Sequence, residues 1–122
     1  MKGRKMIFVY NAKSNLFSRF TDYVHKAVSP STYQCSLCML TYTNLGMKKE
    51  WKEFIESLQG EKVFLYKDDF LKKYPEHSTS ILPAVFMEEN GTLHELLTAA
   101  ELNSYHSLSE LQNALNSKLT NI

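Results

Sequence analysis

Cys35 and Cys38 are the two cysteines of this chain, separated by Ser36-Leu37. Thiols at this spacing can do three things. They can cycle between dithiol and disulfide, supply two ligands to one metal ion, or pack as small apolar side chains. As a redox pair, Cys35 would be the exposed attacking thiol and Cys38 the resolving one, exchanging with a thiol or disulfide on a partner protein and needing no cofactor. A helix starting near Cys35 would favour its thiolate through the helix dipole. Pro30, Ser31 and Thr32 just upstream suit such a start. As a metal site the pair needs more ligands. His25 is the candidate, giving zinc a Cys₂His set completed by water or a carboxylate. A c-type haem does not fit, because Met39 rather than His follows Cys38.

Other residue types invite chemistry less strongly. His25 would activate Cys35 if its imidazole were cationic and close, or would be a solvated boundary residue on its helix. Asp68-Asp69 beside Lys67 reads as helix capping rather than a catalytic carboxylate pair. Trp51 fits an apolar helical stripe and reads as core. Tyr10, Tyr33 and Tyr42 can ring the cysteines, although aromatic clusters are usually packing. His77, His94 and His106 have no paired partner in the sequence and receive no role. No Ser-His-Asp spacing and no dinucleotide fingerprint is present.

The elements that must position these groups are legible from periodicity. Met6-Ile7-Phe8-Val9-Tyr10 is a continuous apolar run and reads as a strand buried on both faces. Leu16, Phe17, Phe20, Val24, Ala27 and Val28 recur at helical spacing, and Ser29-Pro30 ends that helix. Residues 31–42 are apolar and nearly uncharged, so they are expected to be packed and partly helical after Cys35. Met47, Trp51, Phe54, Ile55 and Leu58 line a second helix that Gly60 stops. Residues 62–66 read as a second strand, and a brief helix through Phe70, Leu71 and Tyr74 ends at Pro75. A third strand near 83–87 leads through Asn90-Gly91, a strong hairpin signal, into a fourth at 92–97. Ser107 and Glu110 form a capping box for a final helix lined by Leu108, Leu111, Leu115 and Leu119.

The whole is expected to be one α/β domain over residues 1–122, with a central mixed sheet of about four strands covered by helices. Net charge is +1 with acids and bases interleaved, which argues against a nucleic-acid or anionic-membrane partner. The apolar run at residues 6–10 is too short for a signal-peptide core, and no segment approaches a membrane span. The expected compartment is the cytosol, where a CxxC is kept reduced. The oligomeric state is not legible.

The order βαβ then ββα resembles the thioredoxin-like fold. That resemblance implies that Pro83, at the head of the strand before the hairpin, stands where those proteins have a cis-proline beside the thiols. In thioredoxins the CxxC directly follows the first strand. Here a helix intervenes, and neither Trp nor Gly-Pro accompanies Cys35.

Nearly the whole chain also resembles a family of small uncharacterised bacterial proteins. The matching pieces are Val9-Tyr10-Asn11-Ala12, His25-Lys26, Ser29-Pro30-Ser31-Thr32-Tyr33-Gln34-Cys35-Ser36-Leu37-Cys38, Leu40-Thr41-Tyr42, Gly46-Met47-Lys48-Lys49-Glu50-Trp51 and Leu82-Pro83-Ala84-Val85. Members sometimes carry the label GTPase. This chain has no G-x-x-x-x-G-K-[ST], and its four glycines are scattered. The resemblance implies a family without an activity.

Overall fold

The computed structural model describes residues 4–11, 35–43 and 46–120. The expected helix over residues 16–28 and its proline stop lie outside these. Among the described residues the strands are β1 (Arg4–Val9), β2 (Tyr42–Thr43), β3 (Gly46–Met47), β4 (Glu61–Leu65), β5 (Ala84–Glu89) and β6 (Thr92–Leu97). The helices are α1 (Ser36–Thr41), α2 (Lys49–Ser57), α3 (Lys67–Lys73), α4 (Ala99–Ser104) and α5 (Leu108–Thr120), with a 3₁₀ turn at Pro75–His77.

A mixed sheet runs in the order β4-β1-β5-β6. β1 pairs with β4 in parallel, from Lys5 opposite Glu61 to Val9 opposite Leu65. It pairs with β5 antiparallel, from Arg4 opposite Glu89 to Val9 opposite Ala84. The apolar run of β1 follows from this central place, because both rows of its side chains are buried. Met6, Phe8 and Tyr10 face one core with Cys35, Cys38, Trp51, Leu102, Leu111 and Leu115. Ile7 and Val9 face the other with Phe70, Tyr74 and Phe86. Helices therefore cover both faces, and each buried Leu or Phe contributes roughly 1.5–3 kcal/mol of apolar burial.

Asn90 and Gly91 take positive φ, 54° and 80°, as the β5–β6 hairpin demands. A register shift between Val85 and Phe86 puts Leu97 opposite Val85 and Glu95 opposite Phe86. Leu96 is the extra residue. The bulge turns Leu97 into the first core, although Leu93 on the same strand packs into the second.

Two elements were not expected, the short β2–β3 hairpin and helix α4. The latter opens with a reciprocal capping box. Thr98 Oγ1 accepts from the Glu101 N–H at 3.1 Å, and Glu101 Oε1 accepts from the Thr98 N–H at 2.9 Å. Asp68-Asp69 differ from their expected capping role. The N-cap of α3 is Tyr66, with no side-chain cap, and the two acids lie in the first turn where the helix dipole favours negative charge. Among the described residues, no helix is long and apolar enough to cross a membrane.

Candidate functional site

Cys35 is the N-cap of α1, with non-helical backbone angles, φ −136° and ψ 85°. Its Sγ accepts a hydrogen bond from the Cys38 N–H at 3.2 Å. The first turn brings the two Cα atoms to 5.2 Å, inside the range a disulfide requires, and the sulfurs are bonded at 2.07 Å. Apolar packing holds α1 in place. Leu37, Cys38 and Leu40 are buried in the first core, and Thr41 Oγ1 donates back to the Leu37 carbonyl at 2.7 Å.

The redox reading calls for an exposed Cys35, whereas the apolar segment around it is expected to be packed, and the packing prevails. Cys35 is 1 % exposed and Cys38 is fully buried. The reason is that α1 turns its buried face into the first core, against α4 and α5, and Cys35 stands at the head of that face with Leu37 and Leu40. Cys35 nonetheless lines a cleft of about 710 Å³. Its walls include Ser36, Met39, Leu82, Pro83, Tyr105 and His106. The Leu82–Pro83 peptide bond is cis, as the resemblance implied. So Cys35 and Pro83, which are 48 positions apart in the chain, meet at one cleft. They do so because Pro83 leads into β5, where Ala84 pairs with Val9, while α1 packs on α4, whose Ala99 and Asn103 line the same cleft.

The cleft mixes apolar side chains with the polar Ser36, Asn103 and His106. Among the described residues, the exposed large apolar side chains are Met39 at 37 % and Ile81 at 73 %, and both line this cleft. Ser36 Oγ is buried beside the cysteines without a hydrogen-bond partner among the described residues. His106, which sequence reasoning left without a role, also faces the cleft. Its backbone N–H donates to Glu110 Oε1 at 3.0 Å, which fixes the turn before α5. A histidine in a connection between helices carries no periodic signal, so nothing in the sequence pointed to this placement. Tyr105 stands next to it, and partial burial, with Glu101 and Glu110 nearby, raises its phenol pKa.

His25 and Tyr33 lie outside the described residues. Among the described residues, no group of three or more His, Cys, Asp or Glu side chains has a metal-holding arrangement. Disulfide sulfur is not thiolate, so the Cys₂His zinc set would need the pair reduced. Tyr10 and Tyr42 stack edge-to-face at 5.7 Å, and Tyr66 lies 5.9 Å from Tyr10. Burial, then the proximity of Tyr42 and Tyr66, pushes the Tyr10 phenol far above its usual pKa. Trp51 is fully buried and meets Phe8 edge-on at 5.6 Å, which makes it a core residue. His77 stacks near Phe70 and Phe86 on the opposite face of the sheet from the cysteines.

No family model, curated protein or solved structure matches this chain.

Proposed function

We propose that this chain is a thiol–disulfide oxidoreductase of thioredoxin-like fold, working through Cys35 and Cys38 on a protein thiol or disulfide. The observation that carries the reading is the cleft shared by Cys35 and Pro83. The strand order and directions, with a parallel β4–β1 pair, an antiparallel β5 and a hairpin to β6, support the fold assignment. The near-zero net charge fits a protein partner better than nucleic acid or an anionic membrane. We place the reaction in the cytosol, where glutathione and dithiol proteins supply reductant.

The reaction balances through sulfur alone. In the reduced protein, the Cys35 thiolate attacks one sulfur of the partner's disulfide, and that disulfide breaks as the mixed disulfide forms. The partner's departing sulfur takes a proton. The Cys38 thiolate then attacks Cys35 Sγ, and the partner leaves as a dithiol while the Cys35–Cys38 bond closes. An external dithiol returns two electrons and two protons to the pair. Pro83 is a wall of the cleft across which the partner's sulfur approaches Cys35, with no N–H of its own to donate.

Alkylation tests this reading. Mild oxidation should protect both thiols, dithiothreitol should restore labelling, and Cys35→Ser and Cys38→Ser should each abolish the protection. If the reduced native protein is labelled at neither cysteine until it is unfolded, the cysteines are packing residues and the reading fails. A stoichiometric metal in protein purified without added zinc would replace it with the metal-binding reading.

A further inference from the structure

The cleft at Cys35 does not end at Ile81. A second cleft, of about 550 Å³, continues from it and shares Ile81, Ala99 and Asn103 with the first. The two together form a groove that runs from the disulfide, past the most exposed apolar side chain among the described residues, to Glu95 and Thr98. Glu95 is the one formally charged residue among the described residues lining either cleft. It is exposed, and among the described residues no cation lies within ion-pair distance of it. Glu101 nearby is already engaged by Lys118 at 3.4 Å and by the α4 cap.

We infer that this groove binds an extended polypeptide whose cysteine lies at Cys35 and Pro83 and whose lysine or arginine reaches Glu95. The inference rests on the proposed thiol exchange and adds the substrate class. Charge complementarity selects the occupant. The groove presents an apolar step at Ile81 and then a lone carboxylate, so a basic side chain is attracted and an acidic one is repelled. Loss of hydration in the cleft and the charge of Glu101 hold the Glu95 carboxyl above the usual range, with His77 opposing them. The charge of a cation arriving at Glu95 acts against both and favours the carboxylate. The β6 bulge belongs to the same arrangement, since the extra Leu96 separates inward Leu97 from groove-facing Glu95.

The test uses the full chain carrying Cys38→Ser, which traps mixed disulfides. The probes are synthetic peptides with one activated cysteine and a single lysine or glutamate walked through the positions on either side. At low salt the best lysine peptide should react about three- to fivefold faster than its glutamate counterpart, the scale of one exposed ion pair. Glu95→Gln should bring the ratio to one, Glu95→Lys should invert it, and Ile81→Ser should slow both peptides. Reaction with a small uncharged disulfide should be the same in all variants. A lysine preference that survives Glu95→Gln, or none at all, would overturn the inference. So would a wild-type dimer that Ile81→Asp dissolves, which would make the groove a self-association surface. If neither peptides nor small disulfides react, the oxidoreductase reading fails by itself. Binding of serine-for-cysteine peptides, read by fluorescence anisotropy, then decides the groove by the same lysine preference and its loss in Glu95→Gln.

Discussion

The two faces of the sheet bury their side chains by different rules. The face against Phe70, Tyr74 and Phe86 is apolar at its centre and keeps its polar atoms at the rim, where Tyr74 Oη donates to Glu88 Oε1 at 3.2 Å. The face against α1 and α5 carries Cys35, Cys38, Tyr10 and Trp51 in its interior, with Ser36 Oγ and Trp51 Nε1 buried and unpartnered. Burying an unmatched polar atom costs roughly 1–3 kcal/mol. A fold that carries that cost on one face and avoids it on the other separates scaffold from chemistry. The Phe70 face is packed as scaffold, and the other holds the Cys35–Cys38 pair among its buried residues.

Substitution should expose this difference most strongly on the scaffold face. Phe70→Ala removes a fully buried ring that stacks on Phe86 at 5.2 Å, and it should cost about 3–5 kcal/mol in chemical denaturation. The Cys35–Cys38 labelling pattern of the folded fraction should be unchanged. If labelling changes as much as stability, the two faces are not separable.

Reduction probes the other face. A cross-link over so short a segment constrains the unfolded chain by about 2 kcal/mol, so dithiothreitol should lower the stability by that order. Cys38→Ser should show no further loss on reduction. Equal stability with and without reductant would mean that the pair does not staple this face.

Alkaline titration separates the faces by their tyrosines. The Tyr10 pKa is raised on folding, chiefly by burial, so the phenol stays neutral in the native state. The stability this provides is complete below the unfolded value of about 10 and is lost as pH rises above it, at up to about 1.4 kcal/mol per pH unit. Tyr66, Tyr74 and Tyr105 shift in the same direction from less buried positions. Tyr10→Phe should therefore flatten the alkaline stability curve more than Tyr74→Phe does. An equal response would place the sensitivity elsewhere.

The smallest effect is expected at Ser36. Ser36→Ala removes a buried hydroxyl without a partner from the first position of α1, and it should be neutral or stabilising by up to about 1 kcal/mol. A destabilised variant would show that the hydroxyl is satisfied in solution.

These contrasts also mark what was readable beforehand. The strands were legible because Met6–Val9 of β1 and Ala84–Met87 of β5 are apolar runs and Asn90-Gly91 permits one kind of turn. The cis bond at Pro83 was legible through topology. Helix α4 escaped because six residues hold fewer than two turns of periodicity, even though Thr98 and Glu101 spell out its cap. The bulge at Leu96 escaped because Leu96-Leu97 reads equally well in either register. The site was half legible. The thiols announce themselves by spacing, but the groove is made by residues brought together from α1, the approach to β5 and the connection from β6 to α5. Ile81, Glu95 and His106 acquire meaning only when those segments meet.

The central strand has a further consequence. β1 is bonded to β4 on one side and β5 on the other, and the Tyr10 N–H continues the ladder to the Leu65 carbonyl at 2.9 Å. No local fraying frees amides in the middle of such a strand, so their exchange with deuterium requires opening of the whole sheet. The amides of Ile7 and Phe8 are thus a built-in gauge of global stability. Any ligand that binds only the folded chain must slow their exchange by a factor of one plus the ratio of free ligand concentration to Kd, even where it touches neither residue.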